Sequence, residues 1–338
     1  MMTLRRAPAA LAVAIVLLAL AGCAQPAPAA STPTATPSAS PSPTASATVE
    51  PVRVPFDGDC ARIFTDDDLV TITGGESSTH SGGSLNAIPP DLPASAAVVG
   101  GLDCGWRGDG AGGAYVWVTL IPASVVPAEL AQVPADEPCL VHCQRSEVIG
   151  DTWALVVVPP VYAAEREPTP EESALVQGRL DAAFQALRAH GAALAGSPGP
   201  DTERVLPACD TLAGPVQQAV GVSEPVSGYP TDLFPEGPTW EVLRSQGLVE
   251  WCAWYDAAVG VEVFWQADAG PPSDEALAEV AAEPIDVPGA DVAYTLTGRA
   301  DAPAVVVVGD NHRWTLGGYG MSLDALQAAA AAVVAQGR

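Results

Sequence analysis

Cys104-Gly105-Trp106 returns late in the chain as Cys252-Ala253-Trp254, and these two stretches set the reading of the fold. Eleven residues past each tryptophan stands another, Trp117 and Trp265. Upstream, Cys60 precedes Cys104 by 44 residues and Cys209 precedes Cys252 by 43. Landmarks recurring at nearly one offset predict a tandem duplication in which each half closes its own bridge, Cys60 with Cys104 and Cys209 with Cys252. Cys139 and Cys143 are then left to form a small local loop. The six cysteines make an even set, as expected for an oxidised, exported chain. Zinc is the rival for Cys139-x3-Cys143 with His142 between, but no second ligand pair follows, so no metal is expected.

Working outward, the pattern is α+β, occurring twice. A short helix follows the first cysteine of each half: Asp66 to Ile72 behind the candidate N-cap Thr65, and Leu212 to Val220. Loops rich in Gly, Pro and Ser lead to strands near Ala97 to Trp106 with Ala114 to Ile121, and Val249 to Tyr255 with Val259 to Ala267. More strands are expected at Glu147 to Val158, and at Val292 to Thr297 with Ala304 to Leu316, where Gly309-Asp310-Asn311 makes a hairpin turn. Each half closes with a helix, Pro170 to His190 and Ser322 to Gln336. Leu175, Leu180, Phe184 and Leu187 give the former its apolar stripe. Two repeats therefore span 52–198 and 199–338, each an antiparallel sheet against a short N-terminal and a longer C-terminal helix.

Ahead of them, Arg5 and Arg6 precede an apolar run from Leu11 to Leu20 that ends in Leu20-Ala21-Gly22-Cys23. This is the form of a secretion signal, residues 1–22, and the run is shorter than the roughly 20 apolar residues of a membrane span. The four-residue ending resembles the lipobox of bacterial lipoproteins, which implies that Cys23 is diacylated and anchors the chain. Two acyl chains suffice for stable anchoring. Residues 23–51 are almost entirely Ala, Pro, Ser and Thr, a composition that cannot offset its ordering entropy. They are expected to be a disordered tether, reaching on the order of 80 Å at about 3.1 Å per residue. The localisation implied is the outer face of the cytoplasmic membrane.

Charge narrows the partners. The formal net charge is -26, and every one of the fourteen basic residues is arginine. Nucleic acid, which demands clustered positive charge, is not an expected partner. Lysine Schiff-base chemistry and a phosphate-loop lysine are excluded outright.

A short helix opened by cysteine, a Cys-x-Trp strand, the Gly150-Asp151 turn and a closing alanine-rich helix together resemble a family of actinobacterial lipoproteins of unknown function. The fold of that family is similar to the extracellular sensor domains of mycobacterial serine/threonine kinases. The resemblance covers most of residues 58 to 338, here in two copies, and implies a binding or sensing module with no catalytic residues to carry over.

Motifs for catalysis are missing: no Gly-x-Ser-x-Gly, no His-Glu-x-x-His, no phosphate-cradling loop and no dinucleotide fingerprint. No cofactor or catalytic residue is expected. His312 beside Asp310 could orient a nucleophile, but the stretch reads as a solvated hairpin turn. Asp66-Asp67-Asp68 lacks the alternating spacing of a calcium loop and suits the dipole of a helix N-terminus. Trp106, Trp117, Trp254 and Trp265 read as core, with sugar stacking the alternative. Trp251, Tyr255 and Trp240 have no aromatic counterparts in the first half. On a strand Trp251 and Tyr255 face away from Cys252, so they either meet the other repeat or line a ligand groove. The expected function is a non-catalytic, lipid-anchored binding, sensing or interaction module with an envelope ligand or protein as partner. An envelope lipid carrier and a cell-envelope hydrolase are the alternatives.

Overall fold

A computed structural model describes residues 52–75, 78–81, 92–108, 115–132, 143–158, 168–199, 204–221, 237–255, 259–296 and 303–336. Cys23, Cys139 and the tether lie outside them. Local chemistry sets the helix ends. Thr65 and Asp68 form a reciprocal capping box that starts α1 (Asp66–Thr73), whose first turn carries the three aspartates, and Gly74 stops it in the left-handed region. Thr169 and Glu172 repeat the box at α3 (Pro170–Ala189), with Pro170 in the first turn. The buried stripe of α3 is Val176, Leu180, Ala183, Phe184 and Leu187; Leu175, expected in it, is 51% exposed and points outward.

The first sheet holds β1 (Ser78–Ser81), β2 (Leu102–Gly108), β3 (Tyr115–Pro122), β4 (Cys143–Ile149) and β5 (Thr152–Val158), with α2 (Leu92–Val98) ahead of β2. The strands expected over Glu147 to Val158 are β4 and β5, folded back at the Gly150-Asp151 turn, where Gly150 takes a positive φ of 63°. The second half contains α4 (Cys209–Val220), α5 (Pro238–Ser245), β6 (Val249–Tyr255), β7 (Gly260–Ala267), α6 (Asp274–Glu279), β8 (Ala282–Ile285), β9 (Val292–Leu296), β10 (Ala304–Val308), β11 (His312–Tyr319) and α7 (Leu323–Gln336). Among the described residues the sheets run β1-β2-β3-β5-β4 and β6-β7-β11-β10-β9-β8, with every pairing antiparallel. The chain is therefore α+β, built on two antiparallel sheets. Both sheets contain the same four-strand order of first, second, fourth, third. In each, a cysteine-bearing helical segment precedes the first of those strands and a long helix follows the last.

Disulfides join Cys60 to Cys104 and Cys209 to Cys252. Cys143 is also disulfide-bonded. On the bridged face of the first sheet, Cys104 lies across from Val118 and Trp106 from Val116. These residues share a core with Leu69 and Ile72 of α1 and with Leu180, Phe184 and Leu187 of α3. In the second sheet Cys252 lies across from Val263 and Trp254 from Val261. Leu212 and Val216 of α4 and Leu326, Ala329, Ala330 and Val333 of α7 belong to the core on this side.

The paired tryptophans need correction. Trp117 lies across from Gly105, on the face away from Cys104, whereas Trp265 lies across from Glu250, on the Cys252 face. In register the counterpart of Trp117 is Glu262, because the β6–β7 connection is three residues shorter than that between β2 and β3. The equal sequence offset is therefore not a structural equivalence.

The unbridged faces contribute to one core. Ile121, Trp153 and Leu155 of the first sheet join Trp240, Leu243, Val249, Trp251 and Phe264 of the second half. Polar bonds tie the same halves: Gln266 Nε2 donates to Ser95 Oγ at 2.7 Å and Gln246 Nε2 to the Val125 carbonyl at 2.8 Å. The Thr119 and Thr239 hydroxyls meet at 2.9 Å. Residues Glu50–Arg338 accordingly cluster as a single unit.

Candidate functional site

The aromatic residues singled out in the second half part company. Trp240 and Trp251 are 1% and 2% exposed, and Trp251 stacks on Phe264 with ring centres 5.9 Å apart. They are core side chains shared between the halves. Tyr255, at the end of β6, is only half-buried and stacks on Tyr319 at 5.9 Å. Both rings lie over Gly260, where an added Cβ would come within 2.3 Å of each. The Tyr255 hydroxyl donates to Glu262 Oε1 at 2.7 Å. Burial first, then the hydrogen bond and charge of Glu262, push that hydroxyl far above the usual tyrosine range.

A cleft of about 410 Å³ opens at the opposite end of the second sheet, lined by residues that include Asp291, Val307, Asp310, His312, Trp314 and Val334. Its frame is the β10–β11 hairpin. The Gly309 amide donates to the His312 carbonyl at 2.9 Å, closing the turn, and the Asp291 amide donates to the Val308 carbonyl at 3.1 Å, bringing the β9 entry alongside. The Asp268 amide donates to the Asn311 carbonyl at 2.7 Å, fixing the turn to the end of β7. The imidazole lies against Gly309, where a Cβ would sit 2.9 Å from His312 Cε1 and Nε2.

Gly309-Asp310-Asn311-His312 forms the hairpin turn expected of it, with Asp310 and Asn311 exposed, but His312 itself is not a freely solvated turn residue. Instead its ring stacks beside Trp265 at 6.5 Å and meets Trp314 edge-on at 6.0 Å, while the two indoles are 6.3 Å apart. Burial pushes its pKa below the ordinary imidazole value, against the opposing pull of Asp310 and Asp291. The imidazole is thus neutral at neutral pH. Trp314 is 2% exposed, and its buried indole N–H meets no acceptor. Asp291 and Asp310 are exposed at the rim.

Such an arrangement offers aromatic area, a neutral imidazole and two carboxylates. Among the described residues no three His, Cys, Asp or Glu side chains converge on a metal position, and no helix is long and apolar enough to cross a membrane. The sequence named His312 and Asp310 together. It gave no sign of Asp291 or Val334, which reach the cleft through strand pairing and the return of α7, whereas Trp314, two residues past His312 on β11, shares its face of the strand.

No protein-family model matches the chain, and no curated protein matches it. One solved structure, described as the di-domain ARO/CYC StfQ from the steffimycin biosynthetic pathway, aligns over 85% of this chain and 89% of its own, at 9% identity and a TM-score of 0.17. That likeness is too slight to carry an argument about either fold or function.

Proposed function

We propose that the chain is a lipid-anchored envelope protein, acylated at Cys23, whose folded part is a non-catalytic binding or sensing module working at the end of a Pro/Ala/Ser/Thr tether. The cleft around His312 carries this reading. It combines aromatic wall, polar groups and open volume, the ingredients of a small-molecule recognition site. Its mixed lining, with two carboxylates at the rim, suits a polar ligand better than an acyl chain. The Leu20-Ala21-Gly22-Cys23 ending supports the anchor, and the disulfides are compatible with an oxidising compartment. The resemblance to actinobacterial lipoproteins and kinase sensor domains points the same way.

Two measurements test the reading. Cys23→Ala should abolish acylation and move the protein out of the detergent phase, and unchanged partitioning of the variant would remove the anchor. A fragment titration of the purified full chain, followed through its tryptophan indole N–H signals by NMR, should move the Trp314 signal. A screen that never moves it would remove the cleft as a binding site.

A further inference from the structure

The geometry points to a small organic ammonium as the ligand class of the His312 cleft. This rests on the reading of the cleft as a binding site and goes on to assign its chemistry. Three observations converge on it. Asp291 and Asp310 put two carboxylates at the rim, and no arginine is among the described lining residues. The wall behind them is aromatic, with His312 and Trp314 in the lining and Trp265 stacked behind His312. A cation held against rings and within reach of carboxylates gains from both.

A metal ion is the competing cation. It is disfavoured because the described carboxylates and imidazoles do not converge in threes. An anion would meet two carboxylates, and a neutral alcohol would leave them without a counter-charge. The strongly acidic chain adds a general attraction for cations, which concentrates such a ligand near the surface but does not select the cleft.

Choline and its neutral carbon isostere 3,3-dimethylbutan-1-ol separate charge from shape. Each would be titrated into the purified full chain at fixed ionic strength while the tryptophan indole N–H signals are followed, with Trp314→Phe used to assign the Trp314 signal. Choline should shift that signal saturably, whereas the isostere should bind at least several-fold more weakly. Asp291→Asn with Asp310→Asn should weaken choline by about two- to thirtyfold, the range for two exposed ion pairs. Because both side chains are exposed, the double variant should keep its fold, which its unchanged remaining indole signals would verify. Equal affinity for choline and the isostere, or an unchanged choline affinity in the double variant, would overturn the assignment while leaving a binding site in place. No saturable choline shift would overturn it too. If the fragment screen also leaves Trp314 unmoved, the binding-site reading falls with it.

Discussion

Trp251→Ala tests whether the two halves share one core. The side chain is 2% exposed, stacks on Phe264, and belongs to the same cluster as Ile121, Trp153 and Leu155 of the first sheet. Removing a buried tryptophan costs about 3 to 5 kcal/mol, the lost transfer energy plus a cavity that close-packed neighbours fill only partly. A folded domain is stable by only about 5 to 15 kcal/mol, so the loss is roughly a third to a half of a mid-range value. Because the cavity would open between strands of both sheets, the destabilisation should register on both. The assay is urea unfolding followed by amide exchange, reading Val118 and Leu120 for the first sheet and Val305 and Val307 for the second. Both sets should lose protection together, in one transition with the denaturant slope of the parent protein. Loss of protection confined to Val305 and Val307, or a cost below about 1 kcal/mol, would refute the shared core.

Breaking the Cys209–Cys252 bridge with paired serines releases a loop closed over 43 residues, and the chain-entropy relation predicts a loss of about 4 kcal/mol, measurable by denaturant unfolding. His312 makes stability depend on pH in a defined direction. Its folded pKa lies below the ordinary 6.5, so the unfolded chain takes up the proton more readily and its contribution, complete above that value, is lost as pH falls. His312→Asn should remove that part of the acid slope in thermal unfolding as pH falls below about 7, and an unchanged slope would contradict the half-buried ring and its lowered proton affinity. Gly309→Ala should displace the imidazole, since the new Cβ would meet it at 2.9 Å, and should shift the His312 ring signals in NMR while sparing those of His190.

The sequence by itself determined the elements whose cause is local. Thr65 with Asp68 and Thr169 with Glu172 announce their helices because a capping box is complete within four residues. Val249–Tyr255 is legible as a strand from its bounds, and the near-equal spacings of Cys60–Cys104 and Cys209–Cys252 told which cysteines meet. Local pattern failed where the answer depended on partners. Leu175 and Val176 are equally apolar, and only the packing of α3 decides that Val176 is buried and Leu175 exposed. Trp117 and Trp265 share an offset from their cysteines, yet a connection three residues shorter puts them on opposite faces, since a strand reverses its facing with every residue.

The candidate site was legible only in fragments. Asp310 and His312 are neighbours in sequence, but Asp291, Trp265 and Val334 arrive from the entry to β9, from β7 and from α7. Strand register and helix packing bring them together, and those are set by burial summed over the whole second half. The same turn, read without these neighbours, is an ordinary hairpin in water. It becomes an aromatic-walled, acid-rimmed cleft because Trp265 and Trp314 are held beside His312, shielding the ring from solvent and lowering its affinity for a proton.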